Sequence, residues 1–443
     1  MLNSLESISQ KLQTIWKNVY IVGWWCRENI FWYKDYNWDV DLTTDASPDE
    51  VKSILKVINE VGKKYWTMII KEWIYVYEIT TFRSDIWILD NRKPVNVKFT
   101  SDLNIDSTRR DFTINAIYYD IKNEKYIDPQ NWIEDIKNSK IKFVWNILDR
   151  INEDALRILR FIRIKNKYNL ECSEKNYLEI IKNNISLLNN ISIERIKDEF
   201  EKILLLDNNV KALQDLKTIW FFILFMPEID NLEITPWWPS YHLEWNVWVH
   251  TMMTIEQLNK IFKEWFDSFD DNKKYYTDKH KIYLYWTMLL HDIAKYETYS
   301  IDDKWHVHYY NHENLWVEKA KEVLKLFIFW SKATKKILIL IEKHLKIFKV
   351  LEMKKLKARK FMMEKYFEDL MIIWVSDHLW KIPADESHVY KLKKFYKDFL
   401  NILKDKKFYN WIDIMNIYPG IKWADIKNKL NEKNDEILLN DEK

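Results

Sequence analysis

Glycine is almost missing from this chain, at 3 residues in 443. Ordinary usage of about 7% would supply roughly 31. Tryptophan runs the other way, at 24, and the two together number 27, about what glycine alone should contribute. Such a deficit excludes an ordinary composition read at face value. The simplest reading is that most of these tryptophans are glycine codons, UGA decoded as Trp where the genome means Gly. Heavy use of Asn, Ile and Lys suits the AT-rich genome this implies. The alternative is a genuinely Trp-rich protein that stacks on RNA bases.

The other scarcities narrow the class. Two cysteines, Cys26 and Cys172, lie far apart, which excludes a disulfide framework and fits a reducing cytoplasm. Net charge is only +2, so any nucleic-acid surface is local rather than global. The longest apolar run, residues 219–227, is too short to span a bilayer, and no membrane partner is expected. The N-terminal stretch is charged and amphipathic, without a signal-peptide core.

What is present sorts into an α/β part followed by helices. Residues 1–20 have apolar positions at Leu5, Ile8, Leu12 and Ile15, a helical spacing. Residues 19–23, 38–44, 73–83 and 112–121 predict strands. A helix is expected from Pro48 to Val61, started by Ser47, Pro48, Asp49 and Glu50. After about residue 145 the pattern is helical almost to the end, with breaks near 207–209, at the Pro-rich 233–242 and near Pro383.

Asp39 and Asp41 stand two apart on a predicted strand, so both carboxylates point to one face. Two hard oxygen ligands there can hold Mg²⁺ against triphosphate oxygens. Reading Trp24, Trp25, Trp32 and Trp38 as glycine turns residues 21–44 into IVGGGCRENIFGYKDYNGDVDLTT. The segment then resembles the head signature of the class II tRNA nucleotidyltransferase and poly(A) polymerase family. A glycine turn at Gly23 and Trp24 lets backbone N–H groups approach phosphates, and Arg27 adds charge-assisted donors. An indole at 24 or 25 would occupy the triphosphate's place.

The resemblance continues. Residues 65–85 are similar to the family's "YGT…EVTTFR" strand pair with Trp66 and Trp73 as glycine, and Glu78 in it is a candidate third carboxylate or an edge-strand glutamate. STRRDFTINAIYYD (107–120) matches the family's RRDFT-NA motif and is the most specific signal in the chain. By that match Arg110 contacts the triphosphate while Asp111 and Asn115 hold the ribose. RINEDALRILRFIRI (150–164) matches the neck motif, where Asp154 and Arg157, three apart on one helix face, would read the base. A carboxylate accepts from the exocyclic amine that C and A share, and Arg donates to the acceptor beside it. Arg160 and Arg163 continue the stripe toward phosphate. Glu194 and Arg195 belong to a further family helix and read as structural.

A second constellation follows. His250, the adjacent His291–Asp292 of LLHDIAK, and Asp377 keep the order H…HD…D and resemble the HD phosphohydrolase superfamily. There imidazoles and carboxylates hold a divalent metal (Mg, Mn, Ni or Fe) that activates water. His306, His308, His312 and His344 are further candidates, His312 the best of them. Separate hydrolase activity and a merely structural HD domain stay open.

Lys or Arg occupies 12 positions of residues 332–365 against 3 acids, and 7 lysines lie in 391–407 against 2. Such stretches neutralise RNA phosphates or serve as plain solvated faces. Residues 411–430 are similar to the family's terminal segment, with Trp411 and Trp423 as glycine beside Gly420, and are expected to grip tRNA by shape.

The resemblance implies an α/β nucleotidyltransferase head, with a mixed sheet and a DNA polymerase β-like palm, over 1–145. A helical neck would follow at 146–206, a body with the HD domain at 207–380 and a helical tail at 381–443. It implies addition of CCA to tRNA from CTP and ATP, with Mg²⁺ at the head. The alternatives are a poly(A) polymerase or a CC- or A-adding specialist, and, from another class, an HD phosphohydrolase with an RNA-binding head. The family's glycines fall on Trp24, Trp25, Trp32, Trp66, Trp73, Trp132, Trp145, Trp245, Trp316, Trp411 and Trp423, while Trp248 is a position where the family accepts an aromatic.

Overall fold

A computed structural model of the chain describes residues 1–30, 40–60, 67–86, 96–236, 246–264, 276–303, 307–309, 312–379, 386–404, 406–419 and 421–440. They form two compact units, residues 1–224 and 225–443.

The first unit is built on a seven-stranded mixed sheet. Its strands are β1 (Val19–Val22), β2 (Asp41–Thr44), β3 (Val57–Asn59), β4 (Thr67–Glu72) and β5 (Tyr75–Thr81), with β6 (Arg83–Ile86) and β7 (Asn96–Phe99) set apart as a ribbon, then β8 (Tyr118–Asp120) and β9 (Lys125–Ile127). The order is β3-β4-β5-β2-β1-β8-β9. β2 and β5 run parallel, and the other pairs in the sheet are antiparallel.

Helix α1 (Leu2–Gln13) buries Leu5, Ile8 and Leu12, as the spacing predicts, in one core with Ile21, Leu42, Val51, Ile70 and Ile79 from the sheet and the next helices. α2 (Trp24–Ile30) springs directly from the turn after β1. α3 (Pro48–Ile54) starts with the expected signals: Ser47 and Glu50 form a reciprocal capping box with Pro48 in the first turn. It stops at Ile54, short of the expected Val61, because Val57–Asn59 forms β3, with Val57 and Asn59 paired to Ile70 and Ile69 of β4. The expected strand 112–121 is likewise interrupted. After α4 (Leu103–Thr108), Thr113–Asn115 forms a 3₁₀ turn, so the strand is reduced to Tyr118–Asp120, with Phe112 making an isolated bridge to Phe143.

α5 (Ile133–Lys137), α6 (Ile147–Glu153), α7 (Arg157–Lys167), α8 (Tyr177–Asn183), α9 (Ile193–Leu204) and α10 (Asn209–Thr218) complete the unit. A two-residue pairing of Lys140–Ile141 with Glu171–Cys172 interrupts this helical run. α10 belongs with this unit rather than with the following helices: Asp215 accepts from Lys165 at 2.7 Å and from Asn166 at 2.6 Å, both on α7.

Among its described residues the second unit is helical apart from the ribbon Tyr299–Ile301 with Val307–Tyr309 and an isolated bridge of Pro236 with Asn246. Helices Val247–Glu264, Asp278–Leu290, Ser331–Lys343 and Phe367–Leu379 supply its core. Among the described residues no helix is long and apolar enough to cross a membrane.

Candidate active site and metal centre

The first site forms where β1 ends, β2 begins and β5 passes alongside at Glu78. Register pairs Asp41 with Val22 on one side and with Glu78 on the other. Side chains paired this way rise on one face, and both carboxylates line a cavity of about 230 Å³ with Thr43, Thr67 and Thr80. Thr43 donates to the Thr80 carbonyl at 3.0 Å, and the Thr67 and Thr80 hydroxyls meet at 3.0 Å. Glu78 therefore belongs beside Asp41 and is not an edge glutamate. Asp39 lies outside the described residues, as do Trp32, Trp38, Trp66, Trp245, His306 and Gly420.

Three guanidiniums, Arg83, Arg109 and Arg110, face these acids across the cavity. Two of them are aimed by Asp106, which the sequence reading did not single out. Arg109 Nε donates to Asp106 Oδ1 at 2.8 Å, and Arg110 Nη2 to Oδ2 at 3.0 Å. Tyr118 Oη reaches the same carboxylate at 2.8 Å and accepts from Arg110 Nε at 3.1 Å. Burial alone would raise the Asp106 pKa. The charges of Arg109 and Arg110, with the Tyr118 hydrogen bond, outweigh it and hold the carboxyl at about 2. The legible signal was the i, i+3 and i, i+4 spacing of Asp106 to the two arginines.

Gly23 makes the turn from β1 into α2 with φ +76, the left-handed conformation glycine favours. Trp24 and Trp25 follow in the first turn of α2. The Trp24 ring lies under Lys167 Nζ, and Trp25 packs on Tyr119. Arg27 is buried, donates to Asn115 Oδ1 and stacks on Tyr168, 5.0 Å from the ring centre. Asp111 accepts from Asn115 at 2.9 Å and pairs with Arg160 at 2.6 Å. Its burial would raise its pKa, but Arg160 and the hydrogen bond from Asn115 bring the net shift downward. Arg27, Asn115, Asp111 and Arg160 thus form one chain of contacts.

Asp154 and Arg157 do not share a helix face. α6 ends at Glu153, Asp154 is its extended C-terminal cap, and α7 opens at Arg157. The buried Arg157 turns to Glu153 and to the Arg150 carbonyl at 2.9 Å. Asp154 Oδ2 instead pairs with Arg195 Nη2 at 3.0 Å. Arg195, read from sequence as merely structural, holds the acid of this pair. Arg163 Nε donates to Glu199 at 2.7 Å.

The second site lies in the second unit. His250 comes from helix Val247–Glu264, His291 and Asp292 follow helix Asp278–Leu290, and Asp377 sits in helix Phe367–Leu379. His250 Nε2 lies 3.2 Å from His291 Nε2, from Asp292 Oδ2 and from Asp377 Oδ1. His291 Nδ1 donates to the Met288 carbonyl at 2.6 Å, which turns Nε2 inward in ligand orientation. All four residues are buried. Burial would raise the Asp292 pKa, but His291, Lys295 at 2.7 Å and the imidazole hydrogen bonds hold it well below the usual carboxylate range. The ligand atoms of His250, His291 and Asp292 lie within 4.8 Å of one another, with Asp377 Oδ1 3.2 Å from His250 Nε2, a donor set that suits a divalent metal. Of the other histidines, His344 packs its ring 5.6 Å from that of His291, and His308 pairs with Asp302 at 3.0 Å. The His312 side chain lies outside the described residues.

In the basic stretch, Lys346, Lys354, Lys357 and Lys360 line an open cavity of about 420 Å³.

Comparison with known proteins agrees with this layout. Residues 19–142 match the poly A polymerase head domain, residues 174–233 the probable RNA and SrmB-binding site of polymerase A, and residues 247–365 the HD domain. The chain is 32% identical over 259 residues to the CCA-adding enzyme of Staphylococcus haemolyticus (strain JCSC1435), covering 58% of this chain and 64% of that one. It is 36% identical over 234 residues to the CCA-adding enzyme of Staphylococcus epidermidis (strain ATCC 12228 / FDA PCI 1200), covering 52% of this chain and 57% of that one. The matched segments thus span less than two thirds of these relatives. In fold, the chain resembles the Bacillus stearothermophilus CCA-adding enzyme in complex with CTP, with a TM-score of 0.67 at 19% identity over 98% of this chain and 93% of that one. A CCA-adding enzyme with ATP aligns with a TM-score of 0.63 at 18% identity, over 99% and 94%. The expected fold, a mixed-sheet head followed by mostly helical domains, is the one observed.

Proposed function

We propose that the chain is a CCA-adding tRNA nucleotidyltransferase, which transfers CMP and AMP from CTP and ATP to the tRNA 3′ end and releases pyrophosphate. The observation that supports this best is the cavity in which Asp41 and Glu78 face Arg83, Arg109 and Arg110: acids for metal and hydroxyl, cations for a triphosphate.

Mg²⁺ held by Asp39 and Asp41, with Glu78 beside them, would neutralise phosphate charge and favour ionisation of the attacking hydroxyl. The tRNA 3′-hydroxyl attacks the α-phosphorus, the bond to the β-phosphate oxygen breaks, and pyrophosphate leaves. Arg27 and Arg110 bind the triphosphate beside the Gly23–Trp24 turn, and Asp111 with Asn115 orients the ribose. Asp154 and Arg157 select C and A, with Arg160 and Arg163 toward phosphate. Positioning and electrostatics supply most of the rate enhancement. The neck, the lysine-rich face at 332–365 and the tail are assigned to tRNA binding, and the reading implies a cytoplasmic enzyme.

The test is tRNA ending at its discriminator base, incubated with CTP alone, ATP alone and both. A CCA-adding enzyme adds CC with CTP alone and completes CCA when both are present. A long A tail from ATP alone would identify a poly(A) polymerase instead, and arrest after CC, or a single A on tRNA-CC only, a specialist. Asp41→Ala is expected to abolish incorporation while tRNA still shifts in a gel. Persistent CTP incorporation by that variant overturns the assignment.

The buried His250–His291–Asp292–Asp377 cluster supports a second activity on the same chain. When bound there, a divalent metal (Mg, Mn, Ni or Fe) would activate water for phosphoester hydrolysis. Opening of 2′,3′-cyclic phosphate ends to a phosphomonoester, or release of inorganic phosphate from nucleotides, lost in His291→Ala and Asp292→Ala, is the expected result. Metal content without any such release makes the site structural.

A further inference from the structure

The backbone offers a test of the tryptophans that owes nothing to family motifs. Among the described residues nine non-glycine positions have positive φ: Trp16, Trp73, Glu124, Asn131, Ser139, Trp145, Asn169, Trp220 and Ile328. Four of the nine are tryptophan, although tryptophan is 24 of 443 residues. A bulky side chain in the left-handed region is a genuine outlier, whereas Asn tolerates it and glycine enters it freely.

Two of the four close helix ends, one opens a hairpin loop and one precedes a helix N-cap. At the end of α1, Lys17 N donates to Leu12 O at 3.1 Å and Trp16 N to Gln13 O at 3.0 Å. These are the two bonds of a Schellman motif, with Trp16 at the left-handed C′ position, φ +60, that is usually glycine. Trp220 follows the cap of α10 in the same way, with φ +66 and its N–H on Lys217 O at 3.0 Å. Trp73 is the first residue of the two-residue loop joining β4 to β5, with φ +56, the glycine position of a type II′ turn. Trp145, φ +64, comes directly before Asn146, the N-cap of α6. All four indoles are exposed, at 93%, 57%, 64% and 45% in chain order, so no core holds them there, and Lys182 Nζ lies 4.1 Å over the Trp220 ring. By contrast Trp286 and Trp374 are fully buried on helices. Ile328 is the one other large apolar residue among the nine, at a helix end of the same kind.

We propose that positions 16, 73, 145 and 220 are glycine in the native protein, each a glycine codon written as Trp. Trp73 and Trp145 also coincide with family glycines. Trp16 and Trp220 have no motif behind them and rest on the backbone alone. The inference does not depend on the proposed activity.

Peptide masses of the protein from its native cells decide it directly, since Trp and Gly are the heaviest and lightest standard residues. Glycine masses at 16 and 220 are expected, and tryptophan masses there overturn the proposal. A second readout uses recombinant protein. A chain with Trp16→Gly, Trp73→Gly, Trp145→Gly and Trp220→Gly should melt several degrees above the literal chain, because left-handed strain is relieved at four sites. Trp286→Gly, which empties core space, should melt lower. An unchanged or lowered midpoint in the fourfold variant overturns the physical argument, whatever either protein does with CTP.

Discussion

Glu78 stands directly opposite Asp41 across the parallel pair of β5 and β2. The pairing supplies a second carboxylate without the motif that holds Asp39 and Asp41, and it comes from a strand that arrives 37 residues later. If both acids hold the same metal, Glu78→Gln should lower CTP incorporation by roughly 100-fold, the scale of losing one electrostatic contact in a transition state. It should also raise the Mg²⁺ concentration needed for half-maximal rate. Wild-type rate and Mg²⁺ dependence in Glu78→Gln would confine Glu78 to a structural role.

Asp106 is predicted to be a stability group with an acid signature. Its folded pKa of about 2 lies below the unfolded value of about 3.9. The stabilisation is therefore fully present above pH ~4 and is lost as pH falls through the folded pKa. The difference corresponds to roughly 2–3 kcal/mol. Asp106→Asn should lose about this much at pH 7 in denaturant titration and show a shallower loss between pH 4 and 2. It should also weaken nucleotide binding, because Arg109 and Arg110 lose their common anchor.

Arg195→Ala should release Asp154 and blur base choice. The expected signature is a raised KM for CTP and ATP, with incorporation of G or U becoming measurable, at little cost in melting temperature. Arg195→Lys, which keeps the charge, should restore part of the discrimination. A variant that merely melts earlier with unchanged nucleotide preference would make Arg195 structural after all.

Metal content should follow the histidine–aspartate cluster and leave nucleotidyl transfer alone. His250→Ala or Asp377→Ala protein, purified and analysed for metals, is expected to lose the divalent metal of this site while adding CCA at an unchanged rate. Equal metal content in wild type and both variants would sink the site.

Glycine at the phosphate turn should matter for activity as well as for folding. Trp24→Gly with Trp25→Gly is expected to raise CTP affinity strongly over the literal chain, because glycines after Gly23 let backbone N–H groups approach phosphates. Active enzyme made with tryptophan at both positions would overturn recoding there.

Much of the site could be read along the chain because its residues lie in short local runs. Arg110, Asp111 and Asn115 fall within one motif, and His291 adjoins Asp292. Even the capping of α3 by Ser47 and Glu50 needed only three residues of spacing. The errors came where a neighbour in space overruled local preference. The end of α3 gave way to a strand because β4 offered Val57 and Asn59 a ladder. The helix expected through Asp154 broke there, which separated two residues whose spacing alone had put them on one face.

The sequence by itself determined the composition anomaly, the two constellations and the order of sheet and helices, since motif identity and periodicity are properties of consecutive residues. Only the tertiary structure decided that Glu78 joins Asp41 and that Arg195 holds Asp154. Each of these pairs bridges elements or turns whose relative placement depends on strand register and helix ends, which no stretch of sequence contains. The backbone also exposed Trp16 and Trp220, because the sign of φ at a helix end is set by the hydrogen bonds that close it.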